Sequence, residues 1–246
     1  MKLFSFAVLA CVLIASLGFA KDASTKDSSA KTVDSGTFGV FQNEKRIATE
    51  TFSISQNNNG SIATSEFKTD PAIGNAEQSS KLQLTPSGEI ISYEWKELSP
   101  GSASATVAPN NEFLAERYHD DAQSKEQQQQ FLLPLSTSIV DDYFFVQREI
   151  LVWRYLATAC KTQKGVLQCP LKQEVKFGSL NAHSRVSTSV SMFFIGPEDV
   201  TIKGNPEKLS RIDMKSDSGS WSLWVNDQFK LIRILDTDTN IEVVRD

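Results

Sequence analysis

From Arg185 to Ile195 the chain alternates without a break. Val186, Thr188, Val190, Met192 and Phe194 fall on one side, and Arg185, Ser187, Ser189 and Ser191 fall on the other. Sorting by a period of two is the mark of an extended strand with one buried face. The same text recurs through much of the chain. In Arg46 to Ser55, Ala48, Phe52 and Ile54 share a face opposite Thr49, Thr51 and Ser53. Turn signals punctuate these runs: Asn43-Glu44-Lys45, Asn57-Asn58-Asn59-Gly60, Pro86-Ser87-Gly88, Gly204-Asn205-Pro206 and Asn226-Asp227. Tyr93 and Trp95 are read as sharing a face with Ile91. Strands at this spacing predict an antiparallel meander.

One segment breaks the pattern. After Asp141-Asp142, the residues Tyr143, Val146, Ile150 and Trp153 recur at three- and four-residue spacing, with Gln147, Arg148, Glu149 and Arg154 at the polar positions. That predicts one short helix, with the two acids placed to cap its free N–H groups; a buried strand is the competing reading, since the stretch is rich in β-branched and aromatic residues. In the final strands both faces are apolar, because Leu223, Val225, Leu231 and Leu235 oppose Trp224, Ile232 and Ile234. One face is expected to meet the helix or a second layer, and the other to line a cavity. The fold class expected is therefore mainly β: a curved antiparallel sheet or half-barrel with one short helix packed near the middle of the chain. Ser99 to Asn111 and the stretch 119–130, with its glutamine run Gln127 to Gln130, read as exposed loops.

The N-terminal 20 residues read as an export signal. Lys2 precedes a near-continuous apolar stretch from Leu3 to Leu17, and Gly18-Phe19-Ala20 offers small residues for cleavage after Ala20. A lipidated Cys11 or an uncleaved anchor are the competing readings. Lys21 to Ser35 is a polar leader with Val33 as its one large apolar residue, so a single β-rich domain is expected over 36–246. No later apolar run is long enough for a helical span, so a periplasmic or secreted protein without a membrane span in its mature part is expected. Removing the signal takes away Lys2, and the formal net charge moves from −5 to −6. Mild acidity of this kind argues against nucleic acid as a partner. Of three cysteines, Cys11 leaves with the signal, and the remaining pair, Cys160 and Cys169, flanks a polar turn with a glycine. In an exported chain that pair predicts a disulfide across a hairpin.

Two passages carry a resemblance. Gly36 to Ala48 (GTFGVFQNEKRIA) looks like an opening hairpin, and Trp221–Val225, Phe229–Ile234 and Ile241–Arg245 look like closing hairpins, of secreted bacterial β-rich proteins. Such proteins are similar in outline to the open half-barrel of periplasmic lipoprotein carriers, where a curved sheet wraps a helix over an apolar cavity. The resemblance implies that fold and no particular functional residue. The disulfide hairpin and the glutamine run depart from it.

Catalytic signatures are missing from the sequence. It contains no Gly-x-Ser-x-Gly elbow, no His-Glu-x-x-His, no phosphate-binding loop and no dinucleotide fingerprint. Its two histidines, His119 and His183, read as turn or loop residues. Asp236, Asp238 and Asn240 begin like a calcium loop, but Ile241 stands where such a loop needs glycine, so a hairpin turn is the better reading. No cofactor and no metal is expected. The function expected is that of an exported, non-enzymatic envelope protein binding an apolar, lipid-like ligand, with Tyr93, Trp95, Trp221, Leu223, Trp224, Val225 and Leu231 as candidate lining residues. The alternative is an interaction or scaffolding module that meets an envelope protein through the two polar loops. A hydrolase is the third reading.

Overall fold

The computed structural model describes residues 29–132, 137–163, 166–217 and 219–246. The export signal and residues 21–28 of the leader lie outside the described residues. The first half contains β1 (Lys31–Gln42), β2 (Lys45–Asn57), β3 (Gly60–Thr69), β4 (Glu77–Leu84), β5 (Ile90–Ser99), β6 (Ser104–Asn110), β7 (Phe113–His119), β8 (Gln127–Leu132) and the short β9 (Ser138–Ile139). Helix α1 (Val146–Ala159) follows, then a small hairpin of β10 (Lys161–Gln163) and β11 (Val166–Gln168). The chain continues through β12 (Glu174–Asn181), β13 (Val186–Ile202), β14 (Asn205–Ser216), β15 (Gly219–Val225), β16 (Leu231–Asp236) and β17 (Ile241–Arg245).

All strands but β10 and β11 join one curved, unclosed sheet in the order β8-β7-β6-β5-β4-β3-β2-β1-β17-β16-β15-β14-β13-β12-β9. Every pairing in it is antiparallel except the two-residue bridge of β9 to β12. The chain thus meanders outward from β1 to β8, crosses by α1, and meanders back from β12 until β17 pairs β1. The expected fold class is the one found.

Local chemistry explains the turns. Gly60 has a φ of 137°, and a Cβ there would run into the carbonyl oxygen of Leu84. Only glycine fits where β3 is pressed this close to β4. Asn57 completes that turn by accepting a hydrogen bond from the N–H of Asn59 at 2.8 Å.

The expected boundaries need four corrections. The first strand begins at Lys31 rather than near Gly36, because Asp34 is buried and ion-paired and draws the end of the leader into the sheet. Ser104–Asn110 is a strand that buries Ala105 and Val107, not part of a loop. The glutamine run is the terminal strand β8, held by pairing to β7 and by inward-facing Phe131. A register shift between Gln83 and Leu84 turns Ile90 inward and leaves Ile91 43% exposed, so Ile91 does not share the face of Tyr93 and Trp95.

The helix differs most from expectation. It begins at Val146, and neither Asp141 nor Asp142 caps it. Glu50, inward-facing on β2, supplies the cap: its carboxylate accepts from the N–H groups of Phe145 (2.7 Å) and Val146 (3.3 Å) and from the hydroxyl of Ser65 (2.6 Å). Gln147, Arg148 and Glu149 are buried, although an amphipathic surface helix would expose them. The sheet curls round α1, so no face of its first turn is left to water.

The two-sided apolar strands have a different cause from a cavity. Leu223, Val225, Leu231, Ile234 and Val243 join the main core with α1. On the face turned away from α1, Trp224 and Val244 meet Val200, Ile202 and Leu209 in a second small cluster. A bulge between Phe194 and Gly196 transfers the alternation of β13 from one face to the other, which supplies Val200 and Ile202 to that cluster. The outer face is therefore packed, not hollow.

Candidate functional site

Cys160 and Cys169 form the expected disulfide, with the β10–β11 hairpin between them. The tip of that hairpin, 164–165, lies outside the described residues. Of the seven expected lining residues, Leu223, Val225 and Leu231 are core side chains with no exposure. Trp224 is buried in the second cluster, its Nε1 donating to Glu198 at 3.0 Å, with Arg211 and Arg233 over its ring. Tyr93 is buried and donates to Asp141 Oδ2 at 2.9 Å. Trp95 is buried beside His183, with ring centroids 4.4 Å apart. Trp221 borders an open recess.

Two recesses flank α1. The first, at its N-terminal end, has a volume of about 380 Å³ and is bordered by Arg148, Trp221, Asp142, Asp236, Asn181 and several hydroxyl and aliphatic side chains of β12 to β14. Arg148 is only 4% exposed. Its Nη1 donates to the carbonyl of Asp141 at 2.9 Å, and its guanidinium lies over the rings of Phe145 (5.2 Å) and Trp221 (5.7 Å). Its Nε is buried and has no hydrogen-bond partner among the described residues. Burial pulls the Arg148 pKa down, against the pull of Asp142, Glu50 and other acids.

The second recess, at the C-terminal end of α1, has a volume of about 370 Å³ and is bordered by Trp153, Leu156, Ala157, Cys160, Leu167, Gln228 and Phe229. Its walls are fixed at two points. Trp153 Nε1 donates to the carbonyl of Phe229 at 2.8 Å, which ties the helix to the β15–β16 turn, and the disulfide ties the helix end to the hairpin.

The concave side of the sheet carries buried acids that the sequence did not mark. Asp34 and Glu149 share Arg245, whose Nη2 lies 2.6 Å from Asp34 Oδ2 and 2.9 Å from Glu149 Oε2; Lys230 adds a contact to Asp34 at 2.8 Å. Burial would raise Asp34, but the hydrogen bonds from Arg245 and Lys230 overcome it and hold the carboxyl down at about 2. Burial pushes Glu149 up to about 8 in spite of Arg245. Glu50 is likewise pushed up by burial, to about 7. Glu116, inward-facing on β7, is fully buried, and neither of its oxygens has a hydrogen-bond partner among the described residues; burial raises it to about 8, Arg185 opposing and Asp141 adding to the effect.

The wings of the open sheet meet at the β12–β13 turn. Arg185 there contacts Asp120 at 3.3 Å and lies 4.1 Å from the ring centroid of Tyr118, while His183 packs between Trp95 and Tyr143. His119 is an ordinary strand-end residue, its Nδ1 3.0 Å from the carbonyl of Ser124. Asp236 and Asp238 serve a hairpin turn, and among the described residues no group of acids, histidines or cysteines is arranged to hold a metal.

Arg148 and the Trp153–Phe229 recess are absent from the expected site. A signal for Arg148 existed: Ile150, Leu151, Val152, Tyr155 and Leu156 spread round the helix instead of forming one stripe, as in a helix buried on all sides. Comparison with family models, curated proteins and solved structures finds no match for this chain.

Proposed function

We propose that this is an exported, non-enzymatic protein of the cell envelope that holds an apolar chain, such as a fatty acyl chain, in the recess at the C-terminal end of α1. The observation that carries the reading is the lining: Trp153, Leu156, Ala157, Leu167 and Phe229 face an open volume of about 370 Å³. Small-molecule sites occupy roughly 300 to 1,000 Å³ and are mostly apolar. The disulfide, which suits an oxidising compartment, supports the exported setting, and no helix among the described residues is long and apolar enough to cross a membrane.

Native mass spectrometry of the mature protein, purified under mild conditions, tests this together with dodecanoate titration. Ala157 is exposed at the recess, so Ala157→Trp fills the space without disturbing the core. The expected result is lipid-sized mass or saturable dodecanoate binding in the wild type and its loss in the variant. A clean apo mass with no dodecanoate binding, or equal binding by the variant, removes this site from consideration.

A second reading rests on β8, an end strand of the sheet whose four glutamines are exposed. An edge of this kind accepts a strand from a partner. Replacing Gln127–Gln130 by lysines should abolish capture of an envelope partner with thermal stability kept; retained capture counts against it.

A further inference from the structure

The recess at the N-terminal end of α1 has a chemistry of its own. Arg148 brings a full positive charge into it at 4% exposure, yet forms no ion pair among the described residues. A guanidinium has five N–H donors. Nη1 is used on the Asp141 carbonyl, two aromatic faces cover part of the group, and the buried Nε is left without an acceptor. Buried donors in folded proteins are almost always satisfied by protein, water or ligand. The fork geometry of Arg suits a carboxylate above other acceptors.

The rim carries the opposite sign. Asp142 and Asp236 border the same recess. Asp236 uses Oδ1 on the N–H groups of Asp238 and Thr239, which leaves Oδ2 for another donor. A simple anion reaching Arg148 would meet both carboxylates, and a simple cation drawn by the carboxylates would meet Arg148. A molecule with both charges satisfies each side.

We propose that this recess is a binding site for a small zwitterion of the free amino-acid or dipeptide kind, its carboxylate on Arg148 and its ammonium between Asp142 and Asp236. The volume of about 380 Å³ suits a ligand of that size, and Trp221 offers an apolar wall to a short side chain. The site is separate from the apolar recess and does not depend on it.

Three matched probes test the assignment on the full mature chain: alanyl-alanine with free ends, its N-acetyl form and its C-terminal amide. Binding is followed by calorimetry and by the Trp indole and Arg Nε resonances in NMR. The free dipeptide should bind at least tenfold more tightly than either capped form and move the Trp221 and Arg148 signals. Asp142→Asn with Asp236→Asn keeps the side-chain oxygen that accepts from Asp238 and Thr239 in the turn and should erase the preference for the free dipeptide over the N-acetyl form, with circular dichroism as the check that it folds. Arg148→Met should lose binding of all carboxylate probes, with circular dichroism as the check that it folds. No binding of the free dipeptide by wild type up to about 10 mM overturns the proposal. Equal binding of the N-acetyl form also overturns it, since the acids would then take no part.

Discussion

Glu116 allows a quantitative test of how the interior is arranged. It is fully buried, neither carboxylate oxygen has a hydrogen-bond partner among the described residues, and burial raises its pKa to about 8 against an ordinary 4.5. The folded protein therefore keeps the proton that the unfolded chain releases above pH 4.5. Stability is at its fullest below that pH, falls as pH rises, and levels off once the folded state also ionises near pH 8. With the two pKa values given, the cost reaches about 2 kcal/mol at pH 6, about 3 kcal/mol at pH 7 and about 4 kcal/mol at pH 8. Glu116→Gln keeps the shape and cannot ionise, so its stability should exceed that of the wild type by a margin that grows along this curve. Urea unfolding of both proteins at pH 4, 6, 7 and 8 measures the difference directly. Glu50 and Glu149 titrate in both proteins and cancel in the comparison. A difference that stays constant from pH 4 to pH 8 would show that Glu116 is not held neutral, and the reasoning would fail.

Two further tests address the scaffold. Replacing Cys160 and Cys169 together by serine opens a loop with a sequence separation of 9 and should cost about 2 to 3 kcal/mol in urea unfolding. Arg245→Met leaves the buried Asp34 carboxylate with Lys230 as its remaining cation, and loss of one partner from such a group should cost about 3 kcal/mol, the low end for buried ion pairs. Because Asp34 is held at about 2, its contribution is present above the ordinary carboxylate range and is lost as pH falls towards 2. The part of acid unfolding that follows this window should shrink in Arg245→Met, as read by fluorescence between pH 4 and pH 2.

What the sequence revealed was whatever depends on neighbours in the chain. Val190 and Met192 on β13, or Phe52 and Ile54 on β2, are buried as their alternation requires. Gly60 and the asparagines before it mark their turn without help from the rest of the molecule. The misreadings occur where distant parts decide. Asp141 and Asp142 have the right letters for a cap, but Glu50, ninety-five residues before Phe145, takes the role. Glu116 sits in Phe113-Leu114-Ala115-Glu116-Arg117, where a charge reads as solvent-facing, until the sheet curls and turns that row inward. Trp224 reads as a cavity wall in the sequence, because nothing near it in the chain announces that a bulge at Gly196 will send Val200 and Ile202 to cover it. The recess at Trp153 and Phe229 joins residues 76 positions apart and could not be seen in either segment.

The meeting of β1 with β17 in the middle of the sheet has a consequence for how the fold is reached. Each wing, β1 to β8 and β12 to β17, is a run of neighbouring hairpins that can form from local contacts. Joining the wings requires Phe38 to find Arg245 and Gln42 to find Ile241, across almost the whole described chain. Closing so large a loop is slow and is rewarded only when the contact is made. A chain that folds as it emerges from its N-terminus would therefore hold β1 as an open edge until β17 arrives. Asp34 and Glu149 would have to wait as well, since their common counter-ion, Arg245, travels on that same late strand.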